Sequence, residues 1–324
     1  MNKILTKKNI AALLLIVAIY AVLLTCDSMG LFNRQTKALL VPIGINIMLA
    51  VSLNLMVGFL GELSLGHAGF MSVGAYAGCI FTIHAEMPMW LELPLAMLLG
   101  GVVAGVFGLL IGIPALRLRG DYLAIVTLAF GEIIRAVLNN VSLVGGAGGL
   151  NGIPKYSNYT IVYVMAVITI IIIANLVKSR HGRAICSIRD NIIASEAMGI
   201  PVVKYKLMAF IVAAFFAGIA GVLYGHNLGI LKPSTFDFNK SIEILVMVVM
   251  GGMGSLPGSI IAAFLITVLP EALRSLQDYR MLIYAVVLIA MMLLNNNARF
   301  NEFKQRIFSK KATRQGANLT KEGK

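Results

Sequence analysis

The sequence reads as an all-α polytopic membrane protein with eight to ten transmembrane helices. Of its 324 residues 59% are hydrophobic and 13% are charged, with a mean hydropathy of +0.88. Soluble domains carry roughly a quarter charged residues. The apolar residues also gather in long runs separated by short charged loops. Hydrocarbon about 30 Å thick takes ~20 apolar residues per helix, and these runs match that ruler.

Nine candidate spans follow in order: 10–25, 38–60, 65–83, 91–116, 122–138, 159–177, 207–231, 241–269 and 281–294. The first has the charged head and apolar run of a signal peptide, but no small-residue cleavage site follows it, so it reads as a retained span. Lys3, Lys7 and Lys8 place the N-terminus on the cytoplasmic side. Eight Lys/Arg between Arg299 and Lys324 do the same for the C-terminus. Two cytoplasmic ends require an even number of crossings. The run 241–269 is long and broken at GGMGSLPG (251–258). Taken as two short segments it gives ten crossings; taken as a re-entrant hairpin, with one other run not crossing, it gives eight. Ten crossings put Arg117, Arg119 and the loop 178–206 inside. Residues 1–294 then form one transmembrane domain, and 295–324 a basic cytoplasmic tail.

The net charge of +13 lies in short loops and tails rather than on one soluble face. That is an orientation signal of a protein of the bacterial inner membrane and excludes nucleic acid as a partner. Cys26, Cys79 and Cys186 are scattered, with no metal-ligand spacing, so neither a disulfide nor a metal site is expected.

The loop 178–206 carries six Lys/Arg and two acidic residues in 29 positions, which places it in water. It also has internal order. Ile185, Ile188 and Ile192 repeat at helical spacing, Asp190 and Asn191 supply a break and an N-cap, and IIASEAM forms a second short helix stopped by Gly199 and Pro201. A helical elbow of this kind suits a docking surface for a soluble partner.

Glycine pairs at i, i+4, among them Gly74/Gly78, Gly101/Gly105, Gly108/Gly112 and Gly221/Gly225/Gly229, fit close helix packing in lipid. The broken segment with Gly251, Gly252 and Gly254 admits two readings, a pathway lining or a tight surface turn. Ionisable residues inside spans are costly and usually face protein or a cavity. Glu132 and Arg135, three apart on one face, fit either a structural ion pair or a gate. Glu62 and His67, at a polar glycine-rich break, fit either capping or cavity lining. His226 reads as interfacial, and Glu243 as the edge of its span.

No G-x-x-x-x-G-K-[ST] occurs, nor G-x-S-x-G, H-E-x-x-H or a paired-carboxylate site. The chain offers no seat for ATP phosphates and no enzymatic centre, so no cofactor is expected in it.

Four stretches, GELSLGHAGFMSVGAYAG (61–78), PALRLRGDYLAIVTLAFGEIIRAVLNN (114–140), GRAICSIRDNIIASEAMGIPVVKYKLMAFIVAAFFAGIAGVLYG (182–225) and GGMGSLPGSIIAAFLITVLPEALR (251–274), resemble the permease subunit of bacterial branched-chain amino-acid ABC importers, the M-type of the two permeases in that system. The resemblance runs from about residue 38 to 294. It implies a fold similar to that of type II ABC importer permeases, a heterodimer with a sister permease, two ATP-binding subunits that hold ATP and Mg, and an extracytoplasmic substrate-binding protein. By the same resemblance Gly182, Arg183, Arg189, Asp190, Asn191, Glu196, Ala197 and Gly199 form the loop that couples to the ATPases, with SEAMG as a variant of the E-A-A…G loop. Cys186 and Glu62 depart from the pattern, standing where basic or small and neutral polar residues are more common. ATP closure of the ATPase dimer would move the elbow and switch the cavity between the permeases from outward to inward access. A related permease for urea, amides or sugars, or a secondary transporter, is the alternative. The latter would carry inverted repeats and leave the elbow without a role.

Overall fold

The computed structural model describes residues 34–272 except 86 and 119, together with 18, 20–22, 24–25, 28–29, 286 and 289. The first and last candidate spans, Arg119 and the basic tail therefore lie wholly or largely outside the described residues. By its internal contacts the chain divides into Met1–Thr267 and Val268–Lys324, and the interactions below lie within the first unit.

Residues 34–272 hold ten α-helices: α1 Arg34–Asn54, α2 His67–His84, α3 Met89–Ala115, α4 Asp121–Asn140, α5 Tyr159–Lys178, α6 Arg180–Asp190, α7 Ile192–Ala197, α8 Val202–Leu228, α9 Phe238–Gly251 and α10 Leu256–Ala272. A π-helical turn, Leu55–Leu60, continues α1. Among the described residues four helices are long and apolar enough to cross a membrane: Thr36–Leu60, Met89–Ala115, Tyr159–Lys178 and Val202–Leu228.

Helices α2, α3 and α8 pack most extensively on one another, and glycine is the cause. A Cβ on Gly74 would lie 2.2 Å from the Cα of Gly218, one on Gly221 2.0 Å from the carbonyl oxygen of Met71, and one on Gly100 2.7 Å from that of Gly74. Side chains there would force the helices apart. On α3 the buried side carries Gly101, Ala104, Gly105, Gly108 and Gly112, whereas Leu98, Val102, Val106 and Leu110 are exposed. Small residues inward and large apolar ones outward is the arrangement expected when lipid is the solvent.

The interrupted run 241–269 is two helices, α9 and α10, joined at 252–255. Gly252 at φ +87° and Gly254 at φ +80° turn the chain in a region closed to most side chains. At 14 and 17 residues, the two arms are about 21 and 25 Å long, each shorter than the hydrocarbon layer.

Residues 61–66 form no helix. Gly61, at φ +81°, caps the π turn, and the chain then runs to α2. The Leu65 amide donates to Thr127 Oγ1 on α4 at 3.1 Å, and the Ala68 amide to Ser241 Oγ on α9 at 3.2 Å. Side chains of other helices thereby satisfy donors that the broken helix leaves open.

Candidate functional site

The elbow is built as its residues dictate. Ser179 caps α6, its Oγ accepting from the Gly182 amide at 3.2 Å, and Gly182 packs so closely that a Cβ would lie 2.2 Å from the carbonyl oxygens of Leu176 and Val177. Ile185 and Ile188 turn inward and are buried. Asn191 then caps α7, its Oδ1 accepting from the Ala194 amide at 3.0 Å. Helix α7 closes in a Schellman motif: the Gly199 amide donates to the Glu196 carbonyl at 2.9 Å, and the Ile200 amide to the Ser195 carbonyl at 3.0 Å. Glu196 and Ala197 are exposed, and beside them Ile193 and Met198 are 75% and 82% exposed. Two large apolar side chains thus stand in the open at the two ends of this short, capped helix. Sequence reasoning did not single out this pair.

The rear of the elbow is anchored to the transmembrane helices. Arg189 Nη1 donates to the carbonyl of Gly58 in the π turn at 3.1 Å, while its Nε and Nη2 donate to Asp190 Oδ1 at 3.1 and 2.9 Å. Against the same π turn lies the α9–α10 turn. Its Gly254 amide donates to Asn54 Oδ1 at 2.9 Å, and a Cβ on Gly254 would lie 3.2 Å from Arg189 Nη1. Arg183 stays near its own element, Nη1 donating to the Lys178 carbonyl at 3.2 Å. Burial raises the Cys186 thiol above its ordinary value, an effect that nearby Arg189 opposes and Asp190 reinforces.

Glu62 joins this assembly in a way the sequence did not reveal. It pairs with Lys206, with side chains 14% and 4% exposed. Lys206, expected in water with the rest of 178–206, is instead buried in the early part of α8, which begins at Val202. The lysine tolerates burial because the carboxylate meets it there.

The remaining polar candidates lie apart. His67 is buried against α1. Ser52 Oγ donates to the Leu49 carbonyl, so His67 Nε2 donates to Ser52 Oγ at 2.9 Å, which leaves Nδ1 buried with no partner among the described residues. Glu132 and Arg135 pair with each other at 2.6 to 2.7 Å, their side chains about one-third exposed at 36% and 34%. Neither reaches Glu62 or His67 through any contact among the described residues. An apolar groove of about 380 Å³, lined by Val73, Tyr76, Phe107, Phe130 and Ile134 among others, holds none of the candidate pathway residues. Glu243 pairs with Lys240 one turn away at 3.0 Å.

His226 is fully buried within the protein. The strap before α5 covers it: Nδ1 donates to the Pro154 carbonyl at 2.7 Å, and Tyr156 stacks on the ring at 5.4 Å between centroids. Tyr156 donates onward to Glu92 Oε2 at 3.3 Å, its phenol pushed above its ordinary value by burial and then by the Glu92 carboxylate. Among the described residues no cluster of His, Cys, Asp and Glu is arranged to hold a metal ion.

The family profile described as the permease component of the branched-chain amino acid transport system matches residues 35–294. The chain belongs to this family. It is a multi-pass membrane protein of that class. Over 322 residues it is 36% identical to the high-affinity branched-chain amino acid transport system permease protein LivM of Salmonella typhimurium, covering 89% of this chain and 73% of that protein. It is 25% identical over 314 residues to the ribose import permease protein RbsC of Haemophilus influenzae, covering 90% and 93%. The high-affinity branched-chain permease protein LivH of Salmonella typhimurium is 29% identical over 119 residues, 36% of this chain and 38% of that protein. No solved structure matches the chain.

Proposed function

We infer that this chain is the permease subunit of an ATP-driven importer of branched-chain amino acids. The observation that carries the reading is the elbow: a capped two-helix unit, apolar and acidic on its outer side and tied by Arg189 to the π turn at the end of α1 behind it. A secondary transporter has no use for such a lever. The stronger likeness to LivM than to RbsC supports amino acids over sugars.

In this reading ATP and Mg are bound by two separate ATP-binding subunits, and this chain hydrolyses nothing. The outer face of α7, with Ile193, Glu196 and Met198, receives those subunits. A sister permease completes the pathway, as the partial likeness to LivH supports, and an extracytoplasmic binding protein delivers substrate. Both termini and the elbow are cytoplasmic. Glu132 and Arg135, partly exposed in the lone subunit, face the sister permease or the pathway between the two; an ion pair open to lipid would be costly. A mostly apolar route with a few polar groups suits a zwitterion with a branched apolar side chain.

The test is reconstitution of the purified chain alone and with its partner subunits. The chain alone is expected to hydrolyse no ATP, and the complex to hydrolyse it faster with loaded binding protein. Glu196→Lys is expected to weaken co-purification of the ATP-binding subunits. Sustained hydrolysis by the chain alone would overturn the reading.

A further inference from the structure

We propose that the buried Glu62–Lys206 pair is the joint through which movement of the elbow reaches α1, which makes both residues positioning residues for transport. The inference rests on the importer reading above.

The argument begins with what α7 is attached to. Its Schellman close hands the chain through Pro201 directly into α8, so α7 and the first turn of α8 are separated by only four residues, 198–201. Lys206 lies in that early part of α8 and is 3% exposed. Its carboxylate partner stands two residues beyond the π turn that ends α1, with the Glu62 amide donating to the Met56 carbonyl at 3.1 Å. Displacing the start of α8 therefore pulls on the end of α1 through a charge pair shielded from water and salt.

An ion pair in this place is a poor choice if stability alone is at issue, since replacing buried pairs by well-packed neutral groups is often neutral or stabilising. What the pair adds is a fixed relation between two elements. The other links at the joint are weaker or run to backbone: Arg189 Nη1 to the Gly58 carbonyl, and the Gly254 amide to Asn54 Oδ1. The element they all grip is a π turn, a form that recurs at functional sites and that a one-residue shift converts to α-helix. It is packed without slack, because a Cβ on Gly58 would lie 1.8 Å from Asn54 Oδ1 and 2.2 Å from the Gly254 amide. One turn farther along α1, Ser52 holds His67 at the start of α2. A shift at Glu62 thus moves the broken segment 61–66 in which it lies, and with it the π turn before and the start of α2 after that segment.

The experiment uses the complete transporter, with sister permease, ATP-binding subunits and binding protein, in proteoliposomes. Two double variants are compared with wild type: Glu62→Gln/Lys206→Met, which removes both charges and leaves none buried alone, and the exchange Glu62→Lys/Lys206→Glu. Co-purified subunits, ATP hydrolysis and leucine uptake are measured together. The neutral double variant is expected to assemble and to hydrolyse ATP while moving about tenfold less leucine per ATP. The exchanged pair is expected to stay within about threefold of the wild-type ratio. An unchanged ratio in the neutral variant overturns the proposal, as does loss of assembly, hydrolysis and uptake in equal proportion, or a ratio in the exchanged pair as low as in the neutral variant. Absence of ATP-dependent leucine uptake by the wild-type complex would instead overturn the importer reading on which the proposal stands.

Discussion

Gly199 ends α7 at φ +78° with nothing within 4 Å of the place a Cβ would occupy. The demand there is on the backbone alone, and a left-handed conformation costs a side chain about 1–2 kcal/mol. Gly199→Val should therefore distort the approach to Pro201 without disturbing any transmembrane helix. Uptake is expected to fall several-fold while the amount of membrane-inserted protein, measured by immunoblot, stays at the wild-type level. The two acidic candidates separate in the same physical terms. Glu62→Gln leaves Lys206 buried without a counter-charge and should lower stability by about 3–5 kcal/mol. Glu132→Gln breaks a pair about one-third exposed and should cost the isolated subunit no more than about 1 kcal/mol. Thermal unfolding of the two purified variants in one detergent checks this order. Cys186 gives a further test. Its raised thiol holds less thiolate near neutral pH than an unperturbed cysteine, so alkylation by iodoacetamide at pH 8 should be slower than that of free cysteine and accelerate as pH rises further.

At the scale of helices, glycine sustains the close crossing of α2 and α8. Gly221→Leu drives a side chain into the Met71 carbonyl and should abolish accumulation of folded protein. Gly105→Ala, whose Cβ meets its nearest neighbour at an ordinary 3.6 Å, should be tolerated; size-exclusion profiles of both variants decide the contrast. These packing glycines were legible in the sequence because their i, i+4 spacing is local. So were the cap of α7, the stop at Gly199 and the break between α9 and α10, each specified within a few residues. Lys206 and His226 were not. Their partners Glu62 and Pro154 lie 144 and 72 positions away, and no local pattern distinguishes a lysine bound for water from one met by a buried carboxylate. The same holds for His67, whose role depends on Ser52 presenting an acceptor from another helix.

For the molecule as a whole, hydropathy marked the membrane class and charge and spacing marked the helical elbow, whereas the way the elbow grips the bundle emerged only in three dimensions. Arg189, the π turn, the α9–α10 turn and the Glu62–Lys206 pair converge at one end. His226, Tyr156 and Glu92 lie on the strap side, where α5 begins and α8 ends. In the proposed importer the first end is the one that receives force from the ATP-binding subunits; the strap closes over His226 at the other. The central claim is that the chain moves branched-chain amino acids only when an external ATPase acts on the elbow. The most direct measurement is uptake of labelled leucine into proteoliposomes holding the full complex, with ATP and binding protein supplied or withheld, and with Gly199→Val in place of wild type. Uptake is expected only with both supplied, and to fall several-fold in the variant. Leucine uptake that proceeds without ATP, or that is unaltered by Gly199→Val in a fully assembled complex, would contradict the account.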